Sequence, residues 1–355
     1  VILRYDLDFK FVNLKEVFMS DFKFFVCLIM GFFVFVTPVS LIGGETKISM
    51  LLWNRYTSEI VDNEVNESKF TLERGYFRIE PTITDNIDGR FNLDFFSDET
   101  STTGGGVRVK YAYLNFKDVL PIPDSKISAG IIQHYFGFGY DWEYITIEKV
   151  LEEVEGVAKS ADYGIAFCGN LPSNKGVYAV SVYNGEGYTS TGSDLDRVPE
   201  FLGNLRVVPV SGFTVGGSIL YENNDNDRLA YIGLGRFSRG AFEFRGEYLV
   251  RNMNDVTSSG FMLMPILKLR ELINIDVDIV GRYDMWDLNV DIEDDGHMRI
   301  IGGLNWNIVR DAKDNPQVVL QIQAQKTGYE SAAPDVNLLM AQLRWGFGNI
   351  LPQMN

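Results

Sequence analysis

Short segments of alternating polarity recur from residue 46 to residue 347, and this period of two constrains the fold more than any other feature of the chain. Residues 274–286, NIDVDIVGRYDMW, are the sharpest case. Asn274, Asp276, Asp278, Val280, Arg282 and Asp284 share one parity; Ile275, Val277, Ile279, Gly281, Tyr283 and Met285 share the other. Successive side chains of a strand point to opposite faces, so the segment has a charged face and an apolar face. Two arrangements satisfy that pattern. A soluble sandwich turns the apolar face onto a second sheet, whereas a transmembrane barrel turns it to lipid and lines a wet lumen with the charges.

The N-terminus separates the two. FFVCLIMGFFVFVTPV at 24–39 follows Lys23 and precedes small residues and Gly43-Gly44. This is the pattern of a secretory signal peptide, with cleavage expected between Ser40 and Gly44. Thr37-Pro38 interrupts the run below the ~20 apolar residues of a membrane span. Met19 is the expected start, with residues 1–18 as upstream sequence. Residues 1–44 thus read as upstream sequence plus presequence, and 45–355 as one domain. Of two cysteines, Cys27 and Cys168, removal of the presequence leaves one, which excludes a disulfide framework. A net charge of −16 argues against nucleic acid as a partner.

Beyond Glu45 the alternating segments number about sixteen, an even count as in bacterial outer-membrane barrels. The connections between them alternate in length. Those at 85–87, 171–174, 209–212 and 238–240 are short; those at 57–69, 97–105, 135–161, 185–199 and 287–296 are long and acidic. Short periplasmic turns and long outer loops are the barrel pattern. The fold class predicted is an all-β, transmembrane antiparallel barrel. Its lipid face includes Phe91, Leu93, Phe95, Phe242, Phe244, Tyr248, Val318, Leu320, Ile322, Leu339, Leu343, Trp345 and Phe347. Trp53, Tyr221, Tyr231, Trp306 and Trp345 are assigned to the interfacial girdles.

The opposite parity carries an excess of bases that net charge conceals. Arg74, Arg78, Arg90, Arg108, Lys110, Lys126, Arg206, Arg236, Arg245, Arg282, Arg299 and Arg344 fall on the inward face. The inward acids are Glu80, Asp94, Glu243, Glu247, Asp276, Asp278 and Asp284. Bases in a constriction lower the barrier for anions. Alternatively the arginines pair with lumen acids and stiffen the wall. Asp276 and Asp278 are expected to pair with Arg299, Arg245 or other bases across neighbouring strands. The longest connection, 135–161, carries Tyr140, Asp141, Trp142, Glu143 and Tyr144, then a helix-like run at 145–155 with Lys149, and Lys159 beyond it. Its apolar positions, Ile147, Val150, Leu151 and Val154, need a surface to cover them, so the loop is expected to fold into the lumen and narrow it.

YAYLNFK at 111–117, YAVSVYNGEGY at 178–188 and AQLRWGFGN at 341–349, with the register and the position of the third loop, resemble the phosphate-selective porin O and P family. The resemblance implies an outer-membrane, sixteen-stranded, homotrimeric channel whose basic residues line the path of anions, phosphate or similar. It also implies outer-membrane lipid, small hydrophilic solutes and the barrel-assembly machinery as partners. Here the lumen set is rich in arginine and poor in lysine. No cofactor is expected: the glycines at 104–106 precede no helix that would complete a phosphate cradle. Asp291, Glu293 and Asp295 begin a calcium-loop pattern, but its twelfth position is Gly302, so a solvated acidic loop is the expectation. His134 and His297 are the only histidines, and no serine motif accompanies them, so a hydrolase is not expected. The alternative function is a structural or surface-interaction barrel with a plugged lumen and acidic loops that bind divalent cations.

Overall fold

The computed structural model describes residues 44–190, 198–223 and 227–348. The presequence, its cleavage site, Met19, Cys27 and Asn349 lie outside the described residues. Sixteen strands follow one another: β1 (Thr46–Val61), β2 (Glu64–Thr84), β3 (Ile87–Ser97), β4 (Gly105–Lys117), β5 (Ser125–Gln133), β6 (Ala161–Asn170), β7 (Gly176–Tyr183) and β8 (Glu200–Val210). They continue as β9 (Phe213–Glu222), β10 (Arg228–Arg239), β11 (Phe242–Met253), β12 (Val256–Lys268), β13 (Val277–Asp287), β14 (His297–Arg310), β15 (Pro316–Tyr329) and β16 (Val336–Phe347). Each pairs antiparallel with the next, and β1 pairs with β16, so the sheet closes into a barrel. Closure satisfies the strand edges, which an isolated sheet of this size would leave open.

Parity sorts the side chains as the alternation predicts. Phe242, Phe244 and Tyr248 face outward and are exposed, while Glu243, Arg245 and Glu247 between them are buried inside. In β13, Ile279 and Met285 are exposed outward, and Val280, Arg282, Asp284 and Trp286 are buried inward. Tyr221, Tyr231, Trp306 and Trp345 lie exposed on the outer face. Trp53 does not. It is 3% exposed inside the barrel, because its neighbours Leu51 and Arg55 share the inward parity of β1.

Three segments depart from the sequence reading. Residues 57–69 are not a long loop: β1 and β2 run on to a two-residue turn, Asp62-Asn63, with φ of 52° and 65°. That is the geometry of a type I′ hairpin, and Asp and Asn tolerate the left-handed conformation it needs at both positions. Above the apolar band both strand faces are polar, so the hydropathy signal disappears while the hydrogen-bond ladder continues. Residues 274–276 are not strand; a helical turn, Arg270–Ile273, ends on Asn274 in the left-handed region at φ 58°, and β13 begins at Val277. The helix-like run at 145–155 contracts to one turn, Leu151–Val154. Connection lengths are correspondingly less regular, with a tight outer turn at Asn254-Asp255 and longer inner connections at 118–124 and 269–276.

Candidate functional site

The third loop, residues 134–160, folds into the barrel and is held by wall strands on every side. His134 Nε2 and Glu200 Oε1 of β8 are hydrogen-bonded at 2.6 Å. The Tyr135 carbonyl accepts from Asn204 Nδ2 at 2.7 Å, and Gly137 N donates to Ser218 Oγ at 3.1 Å. Arg206 clamps the loop from β8, donating to the Gly137 carbonyl and, at 2.7 Å, to Asp141. The chain then crosses the lumen. At its far side the Tyr144 carbonyl accepts from Arg344 of β16 at 2.8 Å and Gln321 of β15 at 2.9 Å, and the Ile145 carbonyl accepts from Asn305 of β14 at 2.8 Å. Arg74 of β2 donates to Tyr144 Oη at 2.6 Å, and the Tyr144 ring meets Trp53 edge to face at 4.4 Å. Tyr144 sits at φ 54°, a backbone conformation costly for an aromatic residue. Contacts from β1, β2, β15 and β16 hold it there.

The returning limb lies along the opposite wall. Ile147 N donates to Gln323 at 2.7 Å, and Arg282 donates to the Lys149 carbonyl at 2.5 Å. Glu155 accepts from Arg299 at 3.2 Å and lies 3.2 Å from His297 Nε2, and Lys110 of β4 donates to Ser160 Oγ. Under this limb an apolar core fills part of the barrel. Phe136, Trp142, Val150 and Leu151 pack on Leu202, Leu220, Ile232, Leu249, Met262, Met264, Val280 and Trp286 from β8 to β13. The inward fold of the loop and the burial of Ile147, Val150 and Leu151 follow the apolar pattern of the sequence.

The arrangement divides the predicted lumen bases into two sets. On β8–β16, Arg206, Arg245, Arg282, Arg299 and Arg344 are buried and committed to the loop or to acids. Arg282 makes a bidentate pair with Asp284 at 2.8 and 2.7 Å, and Arg299 reaches the same carboxylate at 2.9 Å. Glu243 is met by Arg245 at 2.7 Å, Lys268 at 2.8 Å and Arg236 at 2.9 Å. Glu143 takes a further bond from Arg245, and Trp142 lies beneath the guanidinium groups of Arg245 and Arg282. Tyr140 lies under Arg206, at 4.4 Å. The base that Asp276 meets across the neighbouring strand is neither Arg299 nor Arg245 but Arg310 of β14. Asp276 sits in the inner turn before β13, paired with Arg310 at 2.5 Å, and Asp278 is approached by Asn307 at 3.5 Å. The Arg310 hydrogen bond holds the Asp276 carboxyl below its usual range, against a smaller opposing effect of burial.

On β1–β4 the bases face the other side of the loop, and Arg74, Arg90, Arg108 and Lys110 lie on aromatic rings. Arg108 stacks over Phe96 at 4.2 Å, Lys110 over Tyr188 at 4.3 Å, and Arg90 over Tyr111 and Tyr113 at 5.9 and 5.8 Å. Arg108 reaches Asp94 at 3.1 Å and Arg90 reaches Glu80 at 2.6 Å, yet their side chains stay 37% and 25% exposed. Arg78 is buried and donates to Asn92 Oδ1 at 3.2 Å. Arg55, absent from the sequence assignment, joins this wall through Gln342 at 2.9 Å and Glu73 at 3.1 Å. Arg55, Arg74, Arg78, Arg90, Arg108 and Lys110 outnumber Glu73, Glu80 and Asp94 here. Lys126 is partly exposed nearer the inner end of the same wall, on β5.

A β-bulge opposite Asn92 and Leu93 places both Lys110 and Tyr111 inward, which a strict period of two could not reveal. From the loop, Lys149 pairs with Glu153 at 2.8 Å and is about half exposed. Burial opposes the charged form of Glu153, but Lys149 and Lys110 hold its carboxyl below the usual range. Lys159 is exposed. At the outer ends of β2–β4 a recess of about 460 Å³ opens among Lys69, Glu73, Phe96, Asp98 and Arg108.

Asp291 and Glu293 are exposed and Asp295 is half-buried on the outer loop after β13. Among the described residues no group of three carboxylate, imidazole or thiol side chains is placed to hold a metal. His134 and His297 are bonded to Glu200 and Glu155 rather than to a serine hydroxyl.

No family model matches the chain, and no curated protein matches it. Solved outer-membrane structures share its fold. The outer-membrane channel DcaP of Acinetobacter baumannii superposes with a TM-score of 0.63 at 10% identity, covering 86% of this chain and 98% of that one. The anion-selective porin from Comamonas acidovorans gives 0.61 at 9% identity, covering 86% and 100%. OmpT of Vibrio cholerae, in its trimer form, gives 0.58 at 10% identity, covering 86% and 100%. At such identities the likeness establishes the architecture.

Proposed function

We propose that this chain is a passive diffusion channel of the bacterial outer membrane, biased toward small hydrophilic anions, phosphate among them. The observation that carries this reading is the division of the lumen. Arginines on β8–β16 are spent on the loop and on acids, while β1–β4 present a basic surface with partly exposed guanidinium groups. Solutes would pass between that surface and the Lys149–Glu153 edge of the loop, entering by the recess beside Arg108. A net positive wall in a confined, low-dielectric passage raises local anion concentration and lowers the anion barrier. The outward apolar face suits a lipid setting, and the presequence read at residues 24–39 suits export. Trimeric assembly and insertion by the barrel-assembly machinery belong to the same proposal, and the trimer form of the structurally similar OmpT supports the former.

The test is electrical. Refolded protein in planar bilayers should show single-channel steps, and the reversal potential in a potassium chloride gradient should have the sign of chloride preference. Replacing Arg90 and Arg108 together with glutamine should move that potential toward zero or beyond. A second reading, a barrel whose loop plugs the lumen and whose outer acids bind divalent cations, is favoured by the loop's anchorage to strands all round the wall. It predicts no conductance steps.

A further inference from the structure

We propose that Glu152 of the third loop and Glu247 of β11 share one proton, and that this carboxyl pair is a latch whose deprotonation releases the loop from the wall. Glu152 and Glu247 are 1% and 4% exposed, and their side chains meet within hydrogen-bonding reach. Glu152 Oε1 accepts from Gly139 N at 2.8 Å, which turns its other oxygen toward the wall. Among the described residues, neither that Oε2 nor either oxygen of Glu247 accepts a hydrogen bond from any other donor. Two carboxylates in that position would repel one another; a carboxylic acid and a carboxylate make a strong hydrogen bond.

Arg282 acts on Glu247 through its charge, but among the described residues no cation donates a hydrogen bond to either carboxyl. The cross-strand neighbours of Glu247 are Leu234 on β10 and Met262 on β12, both buried and apolar. Along β11, Arg245 is held by Glu243 and Glu143. From β13, Arg282 spends its donors on Asp284, Thr146 and the Lys149 carbonyl, and Asp284 adds negative charge. From β8, Arg206 bonds Asp141 and the Gly137 carbonyl. On the loop itself Glu153 adds a further negative charge beside Glu152. Burial, the largest influence, pushes the Glu152 carboxyl up to about 7. A carboxyl raised in the folded loop stabilises docking below its usual range and loses that contribution as pH rises through about 7, with the proton leaving to water.

The latch concerns loop docking and stands whether or not the barrel conducts, so its test reads the loop directly. In refolded, micelle-bound protein, hydrogen exchange at the Val154 and Glu155 amides, which bond the Val150 and Leu151 carbonyls, reports undocking. β12 amides provide the reference within the same molecule. From about pH 5 to about pH 9, protection of the loop relative to β12 should fall at least tenfold in the wild type, the change that one unit of coupling carries. E247Q and E152Q, each isosteric and uncharged, should keep the loop protected across that range. Constant relative protection in the wild type overturns the proposal without recourse to a variant. So does an E247Q or E152Q protein that loses protection as the wild type does.

Discussion

Arg282 shows how the lumen arginines divide by role. Its guanidinium is buried, forked onto Asp284 and bonded to the loop, whereas Arg90 faces water and one carboxylate. Breaking a buried pair strands a charge; breaking a part-exposed one does not. Arg282→Gln should therefore lower unfolding stability by about 3 kcal/mol, and Arg90→Gln by less than about 1 kcal/mol, both measured by denaturant titration in micelles. The opposite order would place the structural arginines on the wrong wall. Asp276 supplies a pH test at the inner rim. Its carboxyl is depressed by Arg310, so its contribution is full above the usual aspartate value of 3.8 and is lost as pH falls below it. Asp276→Asn should flatten that acid limb in thermal melts, and an unchanged limb would remove Asp276 as its source.

At the scale of elements, the third loop is a strut that crosses the lumen. Trp53 and Tyr144 form its far anchor, with Arg74 and Arg344 stacked on the Trp53 ring at 4.6 and 5.8 Å. Trp53→Ala should cost about 3 kcal/mol and, if the barrel conducts, add flicker to its current traces. A variant with wild-type stability and current noise would show that the anchor holds nothing. The loop's inward course was legible in Ile147, Val150 and Leu151, which needed cover. Its partners were not, because they come from strands distant in sequence. Trp53 was misplaced because a tryptophan near a strand end suits a girdle and a loop anchor equally. The β1–β2 hairpin was misread for a related reason: beyond the apolar band, polarity no longer distinguishes strand from loop, and only Asp62-Asn63 marks the turn.

At the scale of the molecule, closure by β1 and β16 and the outward apolar face were legible because a barrel repeats one rule in every strand. The set of bases on the inward parity was legible too. Its uneven distribution was not, since parity tells inside from outside and says nothing of which wall a loop covers. Residues 274–286 illustrate this: Arg282 and Asp284, read as lumen charges, neutralise each other under the loop, and the proposed selectivity rests on β1–β4. The most direct test of that account is the reversal potential of the refolded wild-type barrel in a planar bilayer across a steep potassium chloride gradient. The account predicts well-defined channels with a potential of chloride sign, shifted toward zero or past it when Arg90 and Arg108 are both glutamine. A potential of potassium sign, or an absence of conductance steps, would contradict it.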